Sequence, residues 1–534
     1  MHRLTMRMGL VGLLALAAAC GDEDEDEQTQ ATDPLNPSGD ESATDQLITA
    51  LGGQEALDEI TGLRIIGTGS RFMPNEGRTP EDEAIEANTF ERTVAVNFED
   101  DALRVDTSRD IEFLLPASQE YSDIIVGNVG ASTQPFFGAP VGAMNSDKVA
   151  SIRRQELLLT PQLLVREFEG ATITEQADAA LEGVNHHVVS VTTDPDLPAW
   201  TLYINAETGT LSKLETQELD FYQRNSPLEV YYEDWQEAGT TAFPRSLRVV
   251  RGEHTLFTEE VNTVAVNPTF AADTFEFPAG VTPQFNAALY ERGQLSSQWY
   301  YLLDAIGLPF SGIDTSITPV EVGPGVLQLV GGSHHSLLIE LADGLLLVDA
   351  PFYEERGAAL VDFAETEFPG KPIKYVVASH FHEDHVSGIR QVLGQTDATL
   401  VVQASVEDFW RSLLEAPSSL KPDAIEETPR EVEIQTVPNG GELVLEDTLR
   451  PVTLYHIETQ HAEDLLLTHE PASNTVFVVD IYSPGFLYPD PAALDATITA
   501  NAIPTADLKI AGGHGGEIHD YTQLQTNLTP PPAQ

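Results

Sequence analysis

The stretch SHFHEDHVSG, residues 379–388, gathers His380, His382, Asp384 and His385 within six residues. Imidazole and carboxylate are the donors that suit zinc and its neighbours among the transition metals. Ordinary core or surface sequence rarely concentrates them in this way. His380 and His382 can face one metal, while Asp384 and His385, one turn further on, can face a second. One cluster does not fill two metal shells, so partners are required. Asp349 follows SLLIELADGLLLV, His461 follows VTLYHIETQ, Asp480 follows NTVFVV and His514 follows DLKIAGG. His456 and His469 flank His461, but one falls within an expected strand and the other within the next element. His461 lies on the loop side. His334, His335 and His519 are near in sequence yet fit no ligand slot.

The elements that must position these groups are legible around them. KPIKYVVASH is apolar and β-branched up to His380, and VSGIRQVL resumes at helical spacing. The cluster therefore belongs to a strand-to-helix loop at the carboxyl end of the strand, where open α/β sheets place their chemistry. Each partner also follows an apolar strand, so the candidate ligands converge on one edge of the sheets. This strand, turn, strand, helix pattern starts near residue 319.

The preceding half reads differently. DQLITALGGQEALDEI has helical spacing with Gly52-Gly53 as a break. TVAVNFEDDALRVDTS, HHVVSVTTD, WTLYINAETGTLSKLETQE and SLRVVRGEHTLFTEEVNTVAVN alternate apolar and polar residues around turns such as NAETG, the mark of antiparallel hairpins. LLLTPQLLVREF predicts a helix after its proline. His186 and His187 are adjacent, so in a strand they point to opposite faces and cannot both line one site. Between the halves, SSQWYYLLDAIGLPFSGID reads as a helical segment that docks one on the other.

Length and charge bound the function. A chain of 534 residues is too long for one ordinary domain. With 27 Lys and Arg against 85 Asp and Glu, the formal charge of −58 repels nucleic acid and anionic lipid heads. The opening residues carry two arginines and the short apolar run LVGLLALAAA, too short to span a bilayer, followed by Cys20. LAAAC resembles the bacterial lipobox, which implies cleavage before Cys20, lipidation of its thiol and a place in the bacterial cell envelope, with outer-membrane attachment plausible. Cys20 is the only cysteine, so no disulfide and no thiolate ligand exist within the chain. The acidic stretch after it cannot form a core and reads as a disordered tether. The expected divisions are a signal segment 1–20, a tether 21–45, a β-rich domain 46–285, a docking segment 286–318 and a metal-binding domain 319–534.

Two resemblances follow. The β-rich half, through LGGQEAL, LYINAETGTLSKLE and VNPTFAADTFEFP, resembles the periplasmic lipoprotein-carrier fold. That implies a half-open antiparallel barrel around a helix, with an apolar concave face for a lipid or similar ligand. The last 200 or so residues resemble the metallo-β-lactamase superfamily, whose signature H-x-H-x-D-H, His, Asp, His is matched in order by HFHEDH (380–385), His461, Asp480 and His514. The fold class implied is α+β, with a C-terminal αββα sandwich holding a dinuclear site. The resemblance assigns His380, His382 and His461 to one metal, Asp384, His385 and His514 to the other, and Asp480 to the bridge. Asp349 would orient a ligand by hydrogen bonding. The metals implied are two zinc ions, with iron or manganese as alternatives. Two such dications would acidify a shared water into an attacking hydroxide, with Asp384 as proton acceptor. Lactamases of the superfamily usually carry Cys or Ser at the Asp480 position, and one class adds a Lys that DIYSPGF lacks. The expectation is an exported hydrolase of a small ester or lactone; the alternatives are a lactam hydrolase or an envelope lipoprotein that binds apolar ligands. Tyr482, Phe486 and Tyr488 are candidate pocket residues.

Overall fold

The computed structural model describes residues 41–112, 116–136, 142–303, 310–486 and 488–528. The expected signal segment, Cys20 and most of the tether lie outside them. No helix of the described residues is long and apolar enough to cross a membrane.

The first half is one antiparallel sheet of 13 strands, between Gly62 and Val266, with the first strand Gly62–Met73 paired to the last, His254–Val266. Its path ends at Val129–Ser132 on one side and Thr172–Glu175 on the other. Alternating burial along Trp200–Asn205 and Leu211–Asp220 matches the alternating sequence that predicted hairpins. A helix, Ala43–Ala50, starts within the last residues expected as tether, capped by Ser42 accepting from the Asp45 amide.

The 14-residue helix Ser146–Leu159 was not legible in the sequence, where only the segment after Pro161 reads as helical. The reason is burial on nearly every side. Ser146, Asp147, Lys148, Gln155 and Glu156 are buried along with Val149, Ile152, Leu158 and Leu159, so no amphipathic stripe exists. Glu156 is neutralised by Arg92, 2.6 Å away, which also forks onto Glu259. Among the described residues Asp147 forms no such ion pair. Its Oδ2 accepts from the Ile313 amide at 2.9 Å, and burial pushes its pKa up to about 6. The folded state therefore keeps a proton that the unfolded chain loses near its ordinary value of 3.8. Stability from this group is present below that value and is lost as pH rises through 6. Asp147→Asn is expected to stabilise the protein at pH 7 by up to about 3 kcal/mol and to change nothing below pH ~4. Denaturant melts at the two pH values check it; equal effects at both would refute the assignment.

The second half is an αββα sandwich. A seven-stranded sheet runs from Thr318–Gly323 to Ile434–Val437, and a five-stranded sheet runs from Glu442–Leu445 to Lys509–Gly512. Leu337, Ile339, Leu346 and Val348 face Val452, Leu454, Leu466 and Val476 across the inner core. The alternate residues Leu338, Leu345 and Leu347 pack outward under the helices Glu354–Glu367 and Ile389–Gln395, through Leu360, Ile389 and Val392. Pro491–Ala500 and Tyr521–Asn527 cover the other sheet with Leu494, Ile498 and Leu524. Both faces of the central strands are buried, hence their uninterrupted apolar sequence.

The halves interlock. Trp299 and Phe310 of the expected docking segment pack with Phe221 from the first half and Phe352 and Tyr353 from the second. Tyr300 and Tyr301 lie in the core of the large sheet. The hairpin tip after Asp220 reaches into the second half, where Tyr222 joins the helix-covered core and donates to the Phe381 carbonyl at 2.7 Å.

Candidate metal centre

Strand direction brings the ligands together. Leu345–Val348 runs parallel to Ile373–Val377, so Asp349 and His380 emerge at the same edge. Thr475–Val478 runs parallel to Lys509–Gly512, which does the same for Asp480 and His514. The Leu466 amide donates to the Ser379 carbonyl at 2.7 Å and ties the two edges. Asp349 and Asp480 both sit at positive φ, 61° and 55°, a conformation non-glycine residues rarely adopt and one concentrated at functional sites.

Asp480 is the hub. Its Oδ2 lies 3.2 Å from Nε2 of His380 and 3.2 Å from Nε2 of His461. Its Oδ1 lies 2.8 Å from Nε2 of His514 and 3.2 Å from Nε2 of His385. Ligand atoms of His380, His382, His461 and Asp480 all fall within 4.8 Å of one another. This gathers the residues expected around the first metal. Asp349 lies behind the cluster: its Oδ1 accepts from the Ser379 amide at 2.8 Å, and Oδ2 is 3.7 Å from Nδ1 of His385.

The second grouping departs from expectation. His385 and His514 cluster with His334, which the sequence reading set aside. The His334 ring centroid is 4.1 Å from that of His514, and its Nε2 is 2.8 Å from Oδ2 of Asp384. Asp384 is thereby drawn from the His514 group and clusters instead with His382 and Glu76. Glu76 comes from the first half and was not singled out. His334 could have been found, since GGSHHS is a glycine-led turn after the apolar strand Val326–Val330, the same setting as the other candidates. His335 donates its amide to the Gly513 carbonyl and accepts from the Gly331 amide at Nδ1, and His519 pairs with Tyr482. Tyr482 and Tyr488 pack on each other with tilted rings, while exposed Phe486 lies 6.0 Å from the His514 ring.

Charge is divided unevenly. Burial pushes the Asp480 carboxyl up, but the His385 and His461 charges outweigh it and hold it well below the usual carboxylate range. Burial disfavours charge on His385, yet Asp480 and Asp384 hold that imidazolium well above its ordinary value. His382 is pushed well below by burial and then by His380 and His461. Its Nε2 lies 2.7 Å from the Gly77 carbonyl, so that nitrogen carries the proton and Nδ1 presents its lone pair to the cluster. Among the described residues, His382 Nδ1, Asp384 Oδ1 and Glu76 Oε1 are buried without a hydrogen-bond partner. Unpartnered buried donors of this type fit a bound cation.

The family model described as metallo-beta-lactamase superfamily matches residues 329–479. Among solved structures, a metallo-beta-lactamase from Pontibacter korlensis is 14% identical with a TM-score of 0.30, covering 40% of this chain and 97% of that one. A metallo-beta-lactamase from Hirschia baltica is 20% identical with a TM-score of 0.30, covering 39% of this chain and 94% of that one. The matched span holds His334, the 380–385 cluster and His461, and ends one residue before Asp480. On that match and on its paired sheets, the C-terminal domain belongs to the metallo-β-lactamase superfamily.

Proposed function

We propose that the chain is an exported metal-dependent hydrolase of a small ester, lactone or related uncharged or cationic molecule. The observation that carries this is the placement of Asp480, whose Oδ2 faces His380 and His461, whose Oδ1 faces His514, and both of whose oxygens lie within 3.2 Å of Nε2 of His385. A pair of divalent cations, zinc by the donor set, would supply Lewis acidity and acidify a bound water there. His380, His382, His461, His385, His514, Asp384 and Asp480 would hold them. Asp480 balances the charge of the histidines on both sides. His334 holds Oδ2 of Asp384 and leaves Oδ1 turned toward the cluster. Asp349 fixes the loop below His380. Phe486 offers an apolar lip beside His514, and the acidic chain disfavours polyanionic substrates. Lipidation at Cys20 would tether the enzyme to the envelope.

A second reading rests on a different observation. A cavity of about 480 Å³ lies between the large sheet and the helix Ser146–Leu159, lined by Phe98, Leu158, Trp200, Arg153 and Arg166. Asp101, Glu156 and Glu167 line it as well, so it would suit a ligand with an apolar body and a polar end. One pair of measurements separates the two. Full-length protein prepared without chelator is expected to contain about two metal ions per chain and to hydrolyse members of an ester, lactone and lactam panel. His382→Ala is expected to abolish hydrolysis and leave binding of an apolar fluorescent probe unchanged. Metal-free wild-type protein, or a His382→Ala variant as active as wild type, would sink the hydrolase reading.

A further inference from the structure

The loop between strands Gly62–Met73 and Ile85–Asn97 of the large sheet carries PNEGR, residues 74–78. Pro74, Asn75, Glu76 and Gly77 are buried, although they form a loop tip distant in sequence from every candidate ligand. The tip lies on the metal centre of the other half. The Gly77 carbonyl meets Nε2 of His382 at 2.7 Å. Arg78 donates to the Thr459 carbonyl at 3.2 Å and to Glu458 at 2.9 Å, and its own carbonyl accepts from the Glu463 amide at 2.9 Å. The loop is thus latched to both segments that flank the cluster, 380–385 and 457–463.

Glu76 is 3% exposed, and its Oε2 lies 3.5 Å from Nδ1 of His382. Its ligand atom and those of His382 and Asp384 fall within 4.8 Å of one another. Among the described residues no Lys or Arg forms an ion pair with Glu76 or Asp384, and Oε1 of Glu76 and Oδ1 of Asp384 have no hydrogen-bond partner. A cation between them would neutralise two buried carboxylates and meet the imidazole lone pair at once.

We infer that Glu76 is a metal ligand delivered by the N-terminal sheet, so that the metal centre is built from both halves of the chain. The inference rests on the reading of the 380–514 cluster as a metal centre. It makes metal loading a clasp: the ion that serves the C-terminal site also fastens the loop of the N-terminal sheet over it.

The test uses the full chain loaded with Zn²⁺, with release to a chromophoric chelator as one readout and the visible absorption of the Co²⁺-loaded protein as the other. Glu76→Gln keeps the shape and removes the charge, and is expected to weaken metal retention at least about tenfold and to alter the Co²⁺ bands. Glu83→Gln, exposed on the same loop, is the control and should match wild type. Arg78→Ala, which unlatches the loop and leaves the carboxylate, should also speed release, and it keeps the test open if Glu76→Gln folds poorly. Wild type that binds metal while Glu76→Gln and Arg78→Ala retain it equally, with unchanged bands, would overturn the inference and leave the hydrolase reading standing. Wild type that binds no metal would remove both.

Discussion

Asp480→Ala is expected to strip most of the metal from the centre and to lower hydrolysis at least about a hundredfold. The side chain is small, but four imidazoles depend on it. Nε2 atoms of His380, His461, His385 and His514 all lie within 3.2 Å of one of its two oxygens. Removing it takes away a ligand shared between both groupings and the charge that holds His385 protonated in the metal-free fold. Asp480→Asn separates the two effects, because it keeps the shape and one acceptor oxygen while losing the charge. The measurement is elemental analysis of wild type and both variants purified alongside each other, with the initial rate on whichever substrate the panel yields. A wild-type complement of metal in Asp480→Ala would show that the carboxylate does not bridge, and the mechanism would then rest on ions that share no carboxylate ligand.

Much of this centre could be read from residue order because each ligand follows an apolar strand. The runs ending at Asp349, His380, Asp480 and His514 are strands buried on both faces, and parallel pairing delivers their ends to one edge. The alternating first half likewise announced its hairpins. What resisted reading was contact between halves. Glu76 sits in an ordinary-looking turn, and nothing in PNEGRTP signals that a histidine 306 residues downstream will bond its neighbour's carbonyl; the separation of Gly77 from His382 is 305. His334 was passed over for another reason. Its role is to hold Asp384, and a residue that positions a ligand obeys no ligand spacing. The helix Ser146–Leu159 hid because most of its polar residues are buried and not turned to solvent.

Arg224→Ala is expected to destabilise the protein by about 1–3 kcal/mol and to uncouple the two halves. Arg224 stands at the tip of the hairpin formed by Leu211–Asp220 and Arg224–Ala238, at a φ of 65°. Its guanidinium is 2% exposed and enters the second half, 2.7 Å from Glu354, 3.5 Å from Asp423 and 3.0 Å from Ser418. Burial, then the nearby Arg292, lower its pKa to about 10, which leaves it charged at neutral pH. The alanine variant would leave Glu354 to Lys421 and Arg292 alone and remove the cation nearest its Oε2. It would also release the anchor beside Tyr222, whose hydroxyl holds the Phe381 carbonyl between His380 and His382. The loss should therefore register at the metal centre as well as in stability. Wild type should unfold in one cooperative step in denaturant, and Arg224→Ala in two, with faster metal release to chelator before the first. Arg224→Met, which keeps the volume of the side chain while giving up the ion pairs, separates packing from charge: if Met restores the single transition, packing at the tip couples the halves, and if it does not, the ion pair with Glu354 does. A change in stability below about 0.5 kcal/mol for the alanine variant, typical of an ordinary surface position, would mean that the tip rests on the second domain without supporting it.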